Sequence, residues 1–355
     1  MMNIRVCLGG MDEETLHALL KRGQEYSASD VLLKVGQPPA FRVGGALHYL
    51  KGAKLTPGQT QRLAELILLR SRVHPPIEEL SEFDTSYGVP GIGRYRVNIY
   101  RQRGSMAIAL RSIPLDIPSF EELRLPKVAS DLAKEERGLI LVVGAAGNGK
   151  STTLAAMVGQ MNATRRVHIV TIEDPIEYIH ADNLASISQR EIGLDTPNFS
   201  TALRAALRQD PDVILVGEIR DHETMDIALK AAETGHLVMS TMHTPDVHRT
   251  IGRVLALAGA DSPDTRERFA DNLTGIIAQR LLPGVDGRDR VLASEVLVAT
   301  GTARDTIRSP GGGVPLKDVM ERGTHPYGMQ TFEMSIRDLL SAGLLSRQVA
   351  QAALA

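Results

Sequence analysis

Gly144-Ala145-Ala146-Gly147-Asn148-Gly149-Lys150-Ser151, followed by Thr152, is the stretch of this 355-residue chain whose residue types and spacing prescribe a chemistry most directly. The glycines let the backbone turn its N–H groups inward around phosphate oxygens. Lys150 can reach the β- and γ-phosphates of a nucleoside triphosphate, and the Ser151 hydroxyl can join the coordination shell of Mg²⁺. A helix that opens at this point directs its positive end at the same anion. Two acids further along could act on such a substrate. Glu173 opens the run Glu173-Asp174-Pro175-Ile176-Glu177, where carboxylates can orient a metal-bound water or help polarise an attacking one. Acids at such a place are also commonly solvated or capping groups. Glu218 closes Val213-Ile214-Leu215-Val216-Gly217-Glu218, an apolar strand that delivers an acid near the phosphates. Gly217 stands where many phosphate-loop enzymes carry a metal-holding Asp. The task read for Glu218 is therefore to position or activate the attacking water, reaching the metal through a water, while Ser151, nucleotide oxygens and waters hold the ion. His236 and His243 bracket the run Leu237–Thr241. His243 sits at its carboxyl end, on the nucleotide side. Neither has the matched partners of a metal site, and a lone core histidine is the ordinary alternative for each.

These side chains require a framework that brings strand ends together. Leu139–Val143 reads as a buried strand before the phosphate loop, and Leu154, Val158 and Met161 give the following helix one apolar face. Val167–Ile172, Val213–Val216, Leu237–Thr241 and Val291–Val298 read as further strands, alternating with helices. Asp221 reads as the cap of one helix and Gly235 as its stop. Such alternation predicts a mostly parallel sheet with helices on both faces and ligands at the carboxyl ends of the strands. Before it, Met11-Asp12 opens a helix with Leu16, Leu19 and Leu20 inward and Gly23 as its stop. Short alternating runs from Val31 to about Arg111, with one helix near Leu63, predict a small α+β domain. Pro114, Pro118 and Pro126 punctuate a linker expected to belong to neither core. Helices around Ile307, over Thr331–Ala342 and from Ser346 follow, with a flexible loop at Ser309-Pro310-Gly311-Gly312-Gly313. The expected organisation is an extra segment at 1–10 ahead of a native start at Met11, an N-terminal domain at 11–112, a linker at 113–126, a core at 127–300 and C-terminal helices at 301–355.

Composition narrows the partners. With 43% apolar and 23% charged residues the chain reads as a globular protein, and its formal charge of −2 argues against a broad nucleic-acid or membrane-binding face. It has no Trp and only 4% aromatic residues, few for stacking on bases. Cys7 alone can form neither an internal disulfide nor a four-cysteine zinc site. No apolar run reaches the length of a spanning helix and no signal peptide is read, so the expected location is the cytoplasm.

Taken together, the phosphate loop Gly144–Thr152, the acidic box Thr171–Glu177, the strand Asp210–Asp221 with its Gly217-Glu218, and the histidine box Thr234–Thr244 resemble the secretion ATPase superfamily. Within it they resemble the twitching-motility retraction ATPases of type IV pili, the PilT family. Ala28-Ser29-Asp30 and Gly36-Gln37-Pro38-Pro39 are similar to the family's N-terminal PAS-like domain. Arg280-Leu281-Leu282, Thr302–Arg308 and Gly328-Met329-Gln330-Thr331-Phe332 are similar to its C-terminal segments, the last favouring the retraction branch. Asn148, Ala145 and Ala146 depart from the usual loop. The resemblance implies an α/β, RecA-like core that hydrolyses ATP with Mg²⁺, assembled as a homohexamer. Its Glu218, helped by Glu173, would prepare the water. Arginines from the N-terminal domain of the same or a neighbouring subunit, with Arg94, Arg96 and Arg111 as candidates, would meet the γ-phosphate, and His236 and His243 would sense it or link it to the subunit interface. It further implies attachment at the inner membrane through a pilus platform protein and a possible paralogous ATPase partner. The alternatives are an accessory PilU-like or secretion-system ATPase and, from another class, a RecA-like nucleic-acid motor.

Overall fold

The computed structural model describes residues 12–70, 74, 76–114, 116–286, 289–309 and 314–354, so the expected extra segment, Met11 and the Pro310–Gly313 stretch lie outside the described residues. These residues form two compact units.

The N-terminal unit packs helices α1 (Glu13–Glu25) and α2 (Pro57–Leu68) on one face of an antiparallel sheet. Its strands are β1 (Asp30–Lys34), β2 (Ala40–Val43), β3 (Ala46–Tyr49), β4 (Glu82–Val89), β5 (Gly93–Gln102) and β6 (Ser105–Ser112), in the order β3-β2-β1-β6-β5-β4. Asp12 caps α1 as its residue type requires, accepting from Thr15 N at 2.9 Å. Gly23 is not the stop that the sequence suggested. It lies inside α1, where a Cβ would meet Val31 at 3.4 Å, an ordinary contact, so the helix continues through it to Glu25. Residues 174–179 and 191–197, far along the chain, also belong to this unit.

The second unit is built on a sheet of β7 (Gly138–Val143), β8 (His168–Glu173), β9 (Ser186–Glu191), β10 (Val213–Val216), β11 (Leu237–Met242), β12 (Leu273–Pro283) and β13 (Arg290–Val298). The order is β13-β12-β7-β11-β10-β8-β9, with β12, β7, β11, β10 and β8 pairing in parallel and β13 antiparallel to β12. β7, β10 and β11 are buried along their whole length, which is why β7 and β10 read as apolar runs, while β11 also buries Ser240 and Thr241. The helices are α3 (Lys127–Leu132), α4 (Lys150–Thr164), α5 (Phe199–Ala206), α6 (His222–Glu233), α7 (Val247–Leu257), α8 (Pro263–Asn272), α9 (Gly301–Arg308), α10 (Leu316–Arg322), α11 (Phe332–Ser341) and α12 (Arg347–Leu354). The proline-punctuated segment departs from its expectation as a free linker, because Phe120 and Leu125 pack against the core around Ile140 and Met157. The Gly328–Phe332 segment extends the sheet edge, with Gln330 bridging to Val296 and its side-chain amide donating to the Ser294 carbonyl at 3.0 Å.

His180 follows the acidic box, and its Nδ1 is buried with no hydrogen-bond partner. Burial holds its pKa down to about 4, against 6.5 in the unfolded chain. The unfolded state therefore takes up this proton first, and stability falls as pH drops from about 6.5 to about 4, by about 3 kcal/mol for this one group. In His180→Gln, unfolding midpoints measured across that window should lose this part of their slope; an unchanged slope would contradict the assignment.

Candidate active site

The phosphate loop joins β7 to α4 in the second unit. Gly144, Gly147 and Gly149 adopt φ of 147°, 76° and 78°, conformations that favour glycine. Gly144 is fixed a second way, since a Cβ there would stand 2.5 Å from the Gln279 carbonyl oxygen of β12. That strand supports the loop throughout. Asn148 Oδ1 accepts from Leu281 N at 3.1 Å, and Gln279 Nε2 donates to Thr153 Oγ1 at 2.6 Å. From β13, Arg290 Nη1 donates to the Gly147 carbonyl at 3.2 Å. Asn148 therefore serves as a loop brace. Lys150 is buried and folds back, its Nζ 3.0 Å from both the Gly144 and the Ala145 carbonyl. Ala145, Ala146 and Gly147 are exposed, while Ser151 and Thr152 stand half-buried on the first turn of α4. No side chain caps that helix, and its first amides face the loop.

Parallel pairing puts the other strand ends on the same edge of the sheet. Val143 pairs with Met242, and Val216 pairs with Ser240, so β10 lies two strands from β7, at about 10 Å by strand spacing. Glu218 emerges there, its carboxylate largely buried. Arg220 Nε donates to Oε2 at 2.5 Å and His243 Nε2 lies 3.5 Å from the same oxygen. The turn that presents Glu218 is tied down on both sides. Gly217 N donates to the Ile172 carbonyl at 2.7 Å, and Thr241 Oγ1 donates to the Gly217 carbonyl at 2.7 Å. A Cβ at 217 would lie 3.2 Å from the Ile172 oxygen, a close approach that favours glycine where other phosphate-loop proteins carry an acid. Glu173 ends β8, the next strand over, where its Oε1 accepts from Thr171 Oγ1 at 2.7 Å and Gln189 Nε2 at 3.1 Å.

His243, half-exposed at the carboxyl end of β11, therefore joins Glu218, Glu173 and the loop on one edge. His236 does not. It precedes β11 at the opposite edge, where its carbonyl accepts from Gly138 N and its Nδ1 lies 3.0 Å from the Ala231 carbonyl at the end of α6. Within this chain its geometry is that of a helix-end cap. Replacing His243 by Ala should lower kcat for ATP hydrolysis about tenfold with KM within twofold, because the ring positions the Glu218 carboxylate. Unchanged steady-state kinetics would remove His243 from the site.

The three arginines lie in the N-terminal unit. Arg96 and Arg111 are cross-strand neighbours, and Arg111 Nε donates to Asp30 Oδ1 at 3.0 Å. Arg96 is exposed, whereas Arg94 is engaged with the buried carboxylate of Glu191 at 2.7 Å. Arg220, whose interaction with Glu218 is described above, was not singled out from the sequence. Its place two residues after the acid was the available signal. Among the described residues no group of His, Cys, Asp or Glu could hold a metal by itself, so a cation here would depend on hydroxyl and substrate oxygens. A groove of about 1030 Å³ among α7, α10, α11 and α12 contains none of these residues. On its wall Arg280 stacks over Phe332 at 4.0 Å, and burial raises the pKa of the Glu295 carboxyl.

A parallel sheet with a glycine-rich loop before a helix, and a strand-end glutamate two strands away, defines the RecA-like class of phosphate-loop proteins. Residues 109–314 match the family model for type II/IV secretion system proteins. The chain belongs to this secretion ATPase family. It is 40% identical to the type IV pilus retraction ATPase PilT of Pseudomonas aeruginosa, over 94% of this chain and 96% of that one. It is also 40% identical to the type IV pilus ATPase PilU of the same organism, over 94% of this chain and 87% of that one. The crystal structure of the pilus retraction motor PilT with bound ADP superposes with a TM-score of 0.84 at 43% identity, covering 95% of this chain and 96% of the other.

Proposed function

We propose that this chain is an ATP-hydrolysing motor subunit that powers retraction of a type IV pilus, acting as a homohexamer. The carrying observation is the shared sheet edge on which the loop Gly144–Thr152, Glu218 and His243 converge. The exposed loop amides from Ala145 to Gly149 receive the β- and γ-phosphates, and Lys150 exchanges its loop carbonyls for phosphate oxygens. Ser151 would hold Mg²⁺, with Glu218 reaching it through a water, and the ion when bound neutralises charge on the bridging and γ-oxygens. Glu218, oriented by Arg220 and His243 and helped by Glu173, takes a proton from the attacking water. As the new P–O bond forms at the γ-phosphorus, the bond to the β-phosphate oxygen breaks, leaving ADP, phosphate and the released proton. Of the N-terminal arginines, Arg96 and Arg111 remain the candidates for charge stabilisation at the γ-phosphate, from the same or a neighbouring subunit.

The match to the pilus retraction motor PilT at a TM-score of 0.84 supports the retraction reading, and the equal identity to PilU keeps the accessory PilU-like role as the second. No helix among the described residues is long and apolar enough to cross a membrane. The retraction reading includes engagement of the inner membrane through a platform protein. Deleting the gene should abolish twitching and leave cells bearing many pili. Bald cells would mean assembly instead, and unaltered twitching with altered pulling force would mean the accessory role. Hydrolysis stimulated by DNA would favour a nucleic-acid motor.

A further inference from the structure

The loop after Glu173 does not stay with the sheet that β8 belongs to. Residues 174–179 form part of the N-terminal unit, together with 191–197 and β5. Glu191 is the centre of that arrangement. Its Oε2 accepts from Arg94 Nη2 at 2.7 Å and from Ile176 N at 3.1 Å, and its side chain is only 3% exposed. Arg94 is held in turn by Ser86 Oγ of β4 at 2.9 Å. Glu191 N donates to Asp195 Oδ2 at 2.8 Å, so the second segment is anchored at the same point. One buried carboxylate oxygen thus pins a strand of the N-terminal sheet to the backbone of the acidic box, two residues beyond Asp174.

We infer that Arg94 and Glu191 are positioning residues for ATP hydrolysis: their ion pair makes the acidic-box loop Asp174–Ile179 move with the N-terminal unit, and so sets the carboxylates that precede and follow Pro175. This rests on the ATPase reading above and assigns Arg94 a task different from the γ-phosphate contact expected of it. A buried pair of this kind loses its function when either partner is removed, because the other is left charged and unpaired. Its two members must also fail together.

The test uses the full chain, with steady-state ATP hydrolysis and binding of a fluorescent ADP analogue measured for Glu191→Ala, Arg94→Ala, the double variant, and the milder Glu191→Gln and Arg94→Lys. The expected result is a loss of at least tenfold in kcat for each alanine variant, with KM and the ADP-analogue Kd within threefold. The double variant should be no worse than either single one, and Arg94→Lys should recover most of the rate. Should the alanine variants not fold, Glu191→Gln still carries the test, since it keeps an acceptor for Ile176 N and removes the charge that holds Arg94. A kcat in either Glu191 variant within twofold of the parent overturns the inference. Loss in Arg94→Ala without loss in the Glu191 variants overturns it too, in favour of a direct contact between Arg94 and the nucleotide. Additive losses in the double variant also count against it. A parent protein without ATPase activity would instead remove the functional reading itself.

Discussion

Replacing Glu218 by Gln should lower kcat for ATP hydrolysis by 10²–10⁴-fold, roughly the contribution of a positioned general base, while ATP binding stays within a few-fold of the parent. The substitution keeps the size of the side chain and an oxygen that can accept from Arg220 Nε, so the turn at Gly217 keeps its backbone bonds to Ile172 and Thr241. What disappears is the charge that takes the proton from water. Phosphate release with excess ATP reads the first quantity, and titration with a fluorescent nucleotide reads the second. Hydrolysis within threefold of the parent would exclude Glu218 as the base. Loss of binding together with rate would make it a structural residue.

Gly144→Ala should be the most damaging single-methyl change in the loop. Its φ of 147° suits glycine, and the added Cβ would meet the Gln279 carbonyl at 2.5 Å, a backbone atom that cannot rotate away. Backbone strain and overpacking each cost about 1–3 kcal/mol, so a combined loss of about 2–6 kcal/mol is expected. Because the strain falls on the turn that aims the loop amides, nucleotide affinity should fall at least about tenfold as well. Gly147 gives the internal comparison. It shares a positive φ of 76° but has nothing within 4 Å of a Cβ, so Gly147→Ala should be destabilised by backbone strain alone, about 1 kcal/mol. Thermal unfolding of the two variants checks the ranking, and equal losses would contradict it.

The parts of the site legible in the sequence are those written in local chemistry. β7, β10 and β11 are buried on both faces, so their apolar runs stand out, and the loop glycines stand at positions whose φ they alone adopt readily. Asp221 caps α6 through Thr224 N at 2.8 Å, and Gly235 follows with a φ of 100°, as their residue types suggested. β12 was not legible because Leu273 follows α8 without a break, and Gly275-Ile276-Ile277-Ala278 reads equally well as more helix. β9 was hidden by its polar Ser186–Glu191 composition at the sheet edge. His236 and His243 bracket one strand, and strand direction alone puts His243 on the nucleotide side; the parallel register with β7 places the loop on that same edge. Gly23 looked like a helix stop because glycine commonly follows a helix end, whereas α1 runs through it to Glu25. The Arg94–Glu191 pair spans a sequence separation of 97, and no local pattern announces it.

The interleaving of the two units has a consequence for dissecting the gene. A fragment ending at residue 114 would lack Ile176, which is 3% exposed in the intact fold, and would leave Arg94 without its counter-ion. The complementary fragment would carry the missing pieces as two orphaned excursions, 174–179 and 191–197, with no sheet to receive them. Truncation boundaries chosen from the linear map would thus remove two pieces of the N-terminal unit, and point substitutions in the uncut polypeptide are the way to test each unit's part.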